Sequence, residues 1–213
     1  RLRIRISRQN MCNWTIQASR ACGGYLDLLA RKIREGPLIN MDETSLQVLH
    51  EPDRPADSKS YMWVRAGSEG DDHRIVLYNY SPHRSAEVAE SLLEGFEGAL
   101  QTDAYSGYNS VGAWKGIWHV GCMLHARRKF IEAHVGAKKK GHAKTGLKYI
   151  KKLYRIEHEF RDADLTDDEF VVARRKAAAP VLREFKKWLE AMRKTVPPQS
   201  LLGKAVSYTL SEY

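Results

Sequence analysis

Cysteine is scarce in this chain of 213 residues: Cys12, Cys22 and Cys122 are the only three. They are too few and too unevenly spaced for a disulfide framework. No apolar run approaches the roughly 20 residues that span a bilayer, and no signal-peptide pattern opens the chain. No internal repeat is visible. These absences point to a soluble protein of a reducing cytosol, read as cytoplasmic and without a membrane partner. What is present is globular in composition, 43% apolar and 29% charged, with length for one ordinary core plus an appendage or for two small domains. The chain does not begin with Met, and "SLLGKAVSYTLSEY" reads as a helix cut short, so a fragment of a longer protein is expected.

The net charge of +9 is unevenly distributed. Residues 1–41 carry +6, residues 42–121 carry −7, residues 122–155 carry +10, and the remainder balances. An acidic centre between basic stretches suits a protein that holds a polyanion near a cation site. Solvated Lys/Arg helix faces would produce the same map.

Residues 7–35 have helical spacing (Trp14, Ala18, Ala21, Tyr25, Leu28, Leu29), with Ser7 as a cap, a break at Gly23-Gly24 and a stop at Gly36-Pro37. "PLINM" (37–41) reads as a short buried strand. "SYMWVRAG" (60–67) and "HRIVLYNY" (73–80) read as a hairpin across the turn-like "SEGDD". A helix over 85–98 is expected from a Ser85 cap, the shared face of Val88, Leu92 and Phe96, and a stop at Gly98. "ALQT" (99–102) and "IWHVGCML" (117–124) supply two further strands, separated by a short helix. From Ala126 the pattern is helical, with breaks at Gly141, near 162–167 and at Val196-Pro197-Pro198.

The expected fold is therefore α/β, with five strands in the order β-β-β-α-β-(short helix)-β-α followed by helices. If the first and fourth strands are parallel neighbours, Asp42 and Asp103 both sit at carboxyl ends, where open α/β sheets place ligand sites. Two ionised carboxylates a few ångströms apart repel each other, and Mg²⁺ or Mn²⁺, which takes carboxylate, water and phosphate oxygens, removes that conflict. Singly, each aspartate is equally a turn former or helix cap. Glu43 is expected on the opposite strand face, either in a structural role or supporting the metal ligands from behind.

Three stretches, "GPLINMDETSLQVL", "FEGALQTDAYSGYN" and "GCMLHARRKF", occur in an order that resembles the transposases of the insertion sequence 66 family. The resemblance extends from the lead-in "ISRQNMCNWTIQA" to "WLEAMRK" and "SLLGKAVSYTL". It implies a ribonuclease H-like mixed five-stranded sheet with flanking helices and an Asp-Asp-Glu metal site holding Mg²⁺ or Mn²⁺. Asp42 would be the first acid and Asp103 the second. It implies DNA cleavage and strand transfer at transposon ends, with transposon and target DNA as partners, along with a homo-oligomer and accessory transposition proteins. The family's third acid, in an Asn-Asn-x-x-Glu-Arg context, has no counterpart between Phe130 and Tyr213. Glu157, Glu159, Glu184 and Glu190 lie in amphipathic helices with surface roles. The chain is thus expected to end before the third acid and to be inactive alone. It divides into a lead-in (1–36), a catalytic core (37–135) and a helical insertion (136–213).

His119, Cys122 and His125 are spaced by three, but structural zinc wants four N/S ligands in separated pairs, which the other cysteines do not supply. Cys122 is expected as a buried strand residue, and His125 as a group facing the carboxylates or a phosphate. Arg127, Arg128 and Lys129 are expected to open a helix after the strand and grip DNA phosphates. Lys138, Lys139 and Lys140, within "AKKKGHAK" (137–144), are assigned to a basic loop over DNA. Tyr105 and Tyr108 are expected to pack against the next helix, and Trp14 to lie in the core. Two other readings stay open: a nuclease of the same fold without strand transfer, and a non-catalytic DNA-binding protein whose aspartates only form turns.

Overall fold

In the computed structural model, which describes residues 5–69, 73–137 and 141–213, the helical lead-in is two helices, α1 (Arg8–Ala21) and α2 (Gly23–Glu35). Ser7 caps α1 by accepting the Asn10 N–H, and Gly36 ends α2. The chain divides into two compact units, Arg1–His119 and Val120–Tyr213.

In the first unit, α2 buries Ile33 in the core, whereas α1 buries no residue. Trp14, expected in the core, is 54% exposed. Met11 and Ile16 of the same helix are likewise exposed.

The strands are β1 (Leu38–Gln47), β2 (Lys59–Glu69), β3 (His73–Ser81), β4 (Gly98–Thr102) and β5 (Ile117–Gly121), in sheet order β3-β2-β1-β4-β5. The fold is a mixed five-stranded α/β sheet with flanking helices, of the ribonuclease H-like kind. β2 pairs antiparallel with β1 and β3, and β4 runs parallel to β1. Ile39 and Met41 of β1 alternate inward and meet Trp63, Leu100, Tyr108 and Val111 in the core. β1 runs six residues beyond the expected strand end because β2 stays paired to it as far as Gln47↔Lys59.

Helix α3 (Ala86–Leu93) begins after Ser85 as expected but stops short of 98. Gly95 takes a positive φ of 76°, which turns the chain, and Phe96 enters the core from beyond the helix. The buried Arg65 of β2 donates to the Leu92 carbonyl, one of the acceptors that the helix end leaves open, and to Asn79. Gly98, with φ 147°, opens β4; a Cβ there would stand 2.7 Å from the Pro37 carbonyl oxygen. That close approach lets Ala99 N–H donate to the same carbonyl at 2.9 Å and sets the parallel pairing. Between β4 and β5 come a 3₁₀ turn (Ser106–Tyr108) and the short α4 (Asn109–Gly112).

The second unit holds α5 (Met123–Val135), α6 (His142–Arg161), α7 (Asp167–Thr195) and α8 (Leu201–Ser211), with breaks where Gly141, the aspartates at 162–167 and Pro197-Pro198 predict them. Phe130, Ile150, Phe185, Leu189, Ala205 and Val206 form its core, with Tyr149 and Trp188 packed against it. Gly146 lets α6 approach Phe130 of α5: a Cβ there would lie 2.6 Å from the ring. Among the described residues no helix is long and apolar enough to cross a membrane.

Candidate metal centre

The parallel register brings the two aspartates together. Leu38 pairs with Ala99, Ile39 with Leu100 and Asn40 with Gln101, a constant offset of 61 residues (99 minus 38). The same offset carried two residues further sets Asp42 level with Asp103, just past the last paired residues of β1 and β4. Asp42 is therefore not at the carboxyl end of β1, as expected, but where its parallel pairing stops. One carboxylate oxygen of each aspartate lies within 4.8 Å of the other's.

Both carboxylates are held by the backbone. Asp42 Oδ1 accepts the Glu43 N–H at 3.0 Å, and Asp103 Oδ1 accepts the Tyr105 N–H at 3.0 Å. Asp42 is exposed and Asp103 half-buried, so the pair opens to solvent. Two hard oxygen donors of this kind suit Mg²⁺ or Mn²⁺, which complete their shell with water and phosphate oxygens.

Beside the pair lies a buried polar group in which Glu43 meets Tyr108 and Arg84, a partner the sequence did not reveal. The Glu43 side chain is 1% exposed and accepts from the Tyr108 hydroxyl and from Arg84 Nε, the latter at 2.5 Å. Arg84 Nη2 also lies 2.5 Å from Glu43 Oε1 and stands 4.0 Å from Asp103 Oδ2. The guanidinium carbon rests 3.7 Å above the Tyr105 ring, whose hydroxyl donates to the Arg84 carbonyl at 2.6 Å. Burial works against the Arg84 charge, but the hydrogen bond and charge of Glu43 outweigh it and raise the guanidinium pKa further. Burial, then the Glu43 hydrogen bond and the nearby carboxylates, push the Tyr108 phenol well above its ordinary range, so it stays neutral. Tyr105 and Tyr108 pack edge-on to each other, and Tyr108 packs edge-on to Trp63. Nothing in "SPHRSA" separates Arg84 from any other loop arginine.

The other predicted residues that the structure describes lie on β5, just after it and on α5. His119 of β5 is exposed and shares a 2.7 Å hydrogen bond with Thr102 Oγ1. β5 ends at Gly121, three residues earlier than expected, because α5 begins at Met123. Cys122 is thus a half-buried helix cap, not a buried strand residue. His125 lies in the first turn of α5, and Arg127, Arg128 and Lys129 in the next instead of opening the helix. Arg127 and Arg128 are exposed, whereas Lys129 is half-buried with its ammonium 4.8 Å from the Tyr208 ring centre. Arg127 lines an open cleft of 650 Å³ with Leu124, Ile131, Leu147, Lys151 and Tyr154. Burial and the nearby Cys122 raise the Tyr154 phenol against the pull of Arg127. Lys138, Lys139 and Lys140 lie outside the described residues.

The sequence model of the family described as "Transposase IS66 family" matches residues 1–213. Among curated proteins, the chain is 30% identical over 220 residues to "Uncharacterized protein y4jD" of Sinorhizobium fredii (strain NBRC 101917 / NGR234), covering 99% of this chain and 42% of that one. It is 27% identical over 219 residues to "Uncharacterized protein y4qI" of the same organism, covering 98% of this chain and 40% of that one. The chain thus spans about two fifths of the length of these relatives. With its match running from the first residue to the last, the chain belongs to the IS66 family of transposases.

Proposed function

We propose that this chain is the catalytic region of a transposase and that Asp42 and Asp103 hold Mg²⁺ or Mn²⁺ for DNA cleavage and strand transfer at insertion-sequence ends. The observation that carries this reading is the register that sets the two carboxylates level, with oxygens within 4.8 Å, Asp42 exposed and Asp103 half-buried. When bound, such ions activate an oxygen nucleophile and stabilise the leaving oxygen of a phosphodiester. In the reaction, water attacks a phosphorus at the transposon end, and the P–O3′ bond breaks to free a 3′-hydroxyl. That hydroxyl then attacks a phosphorus of target DNA, joining the strands and releasing a target 3′-hydroxyl. The two aspartates would hold the ions, while His125, Arg127, Arg128, Lys129, Lys138, Lys139 and Lys140 contact the backbone. The residues from Phe130 to Tyr213 carry no Asn-Asn-x-x-Glu-Arg motif, so these 213 residues alone do not cut DNA on this reading.

A Mn²⁺ titration followed by calorimetry tests the site. The parent binds saturably, and Asp42→Asn and Asp103→Asn each weaken binding by at least about tenfold, since each removes an ionised ligand. Affinity unchanged in both variants overturns the assignment. Joined products from a longer chain that carries a third acid separate strand transfer from plain hydrolysis.

A further inference from the structure

We propose that Glu43 is a positioning residue: it restrains Arg84 so that the guanidinium stays at the outer limit of an ion pair with Asp103 instead of closing into a hydrogen bond with it. This rests on the reading of Asp42 and Asp103 as a cation site. Arg84 carries five N–H donors and lies within reach of two carboxylates. It spends Nε and Nη2 on Glu43, both at 2.5 Å, while Asp103 is left at 4.0 Å, beyond hydrogen-bond range. The restraint is built from several sides. Tyr108 fixes the far oxygen of Glu43, the Tyr105 ring supports the guanidinium face, and the Tyr105 hydroxyl holds the Arg84 carbonyl.

The consequence is electrostatic. A guanidinium closed on Asp103 would occupy the lone pairs that a divalent cation needs and set a positive charge beside it. With Arg84 tethered, Asp103 Oδ2 lies outside hydrogen-bond range of the guanidinium. Glu43 is itself enclosed by Arg84 and Tyr108, which keeps it out of the cation's donor set although it neighbours Asp42 in sequence.

Three variants test this: Glu43→Gln, Arg84→Met, and the double substitution, which replaces a buried ion pair by neutral groups. In a crystal structure of Glu43→Gln, an Arg84 nitrogen is expected within about 3 Å of Asp103; a separation still at 4.0 Å overturns the proposal. Mn²⁺ affinity should fall about tenfold in Glu43→Gln from the released charge. It should return to within about twofold of the parent in the double variant, a recovery that a purely structural Glu43 does not predict. Arg84→Met alone binds Mn²⁺ no more weakly than the parent. Weaker binding there would mean that Arg84 supports Asp103 instead of competing with the cation, and this outcome counts against the proposal even if Glu43→Gln fails to fold. A parent that binds no Mn²⁺ sinks the metal reading alone, because the Glu43→Gln structure still decides the restraint.

Discussion

Asp42 and Glu43 are neighbours in the chain with opposite fates. Asp42 is exposed just past the β1–β4 pairing, while Glu43 is enclosed by Arg84 and Tyr108. A buried carboxylate is tolerated only when its acceptors are filled, and here a cation and a neutral phenol fill them. Tyr108→Phe removes one donor and leaves an oxygen of Glu43 without it. The expected cost is about 1.5–3 kcal/mol, the range for a hydrogen bond to a charged group. Urea unfolding of the parent and variant measures it, and a loss below about 0.5 kcal/mol, the level of an ordinary surface substitution, would show that the bond carries little. Arg65 makes the complementary case: burial, helped by the charge of Arg34, lowers its pKa to about 10, yet it stays charged at neutral pH and ties α3 to the sheet.

In the second unit, Glu157 and Glu169 are held below the ordinary carboxylate range by contacts at a helix end and between helices. Thr166 caps α7 in a reciprocal capping box with Glu169, so Thr166→Ala should cost about 1 kcal/mol in the urea midpoint analysis. The Thr166 backbone N–H and then its hydroxyl hold the Glu169 carboxyl below the ordinary range. At Glu157, burial pushes the other way but is outweighed by hydrogen bonds and charges from Arg161 and Arg174, so its pKa is also lowered. Both folded-state values lie below the ordinary 4.5. The stability these groups contribute is therefore full above that value and is lost as pH falls through their folded-state pKa values. Unfolding midpoints measured between about pH 7 and pH 3 should decline less steeply in Glu157→Gln than in the parent, with the variant already weaker at neutral pH. Parallel curves would remove Glu157 from the account.

Charge of opposite sign is concentrated along the chain, −7 over residues 42–121 and +10 over residues 122–155. The acidic stretch contains the aspartate pair, and the basic stretch contains α5 and the start of α6. On the transposase reading, DNA affinity falls steeply with salt, and each phosphate contact contributes about −0.9 to the log–log slope. Arg127→Ala and Arg128→Ala should each flatten that slope by about one contact. Lys129→Ala should change it less, because its ammonium lies over the Tyr208 ring. A binding titration across salt concentrations gives all three slopes. Equal effects from the three would show that the Tyr208 ring does not weaken the phosphate contact of Lys129.

The order of elements was legible in the sequence, because its signals are local. Gly36-Pro37, Gly141 and Pro197-Pro198 cannot continue a helix whatever surrounds them, and runs such as "HRIVLYNY" suit an extended chain by side-chain shape alone. The aspartate pair was legible too, once the first and fourth strands were taken as parallel neighbours. How far β1 runs was not, since its last residues extend only because β2 remains bonded to them. The early stop of α3, the exposure of Trp14 and the shift of His125 onto a helix likewise depend on what each segment finds to pack against. The meeting of Glu43, Arg84 and Tyr108 joins residues 41 and 65 positions apart. No spacing rule links such residues; only the sheet register and the turn after β4 bring them within hydrogen-bond reach, and burial then makes that contact obligatory.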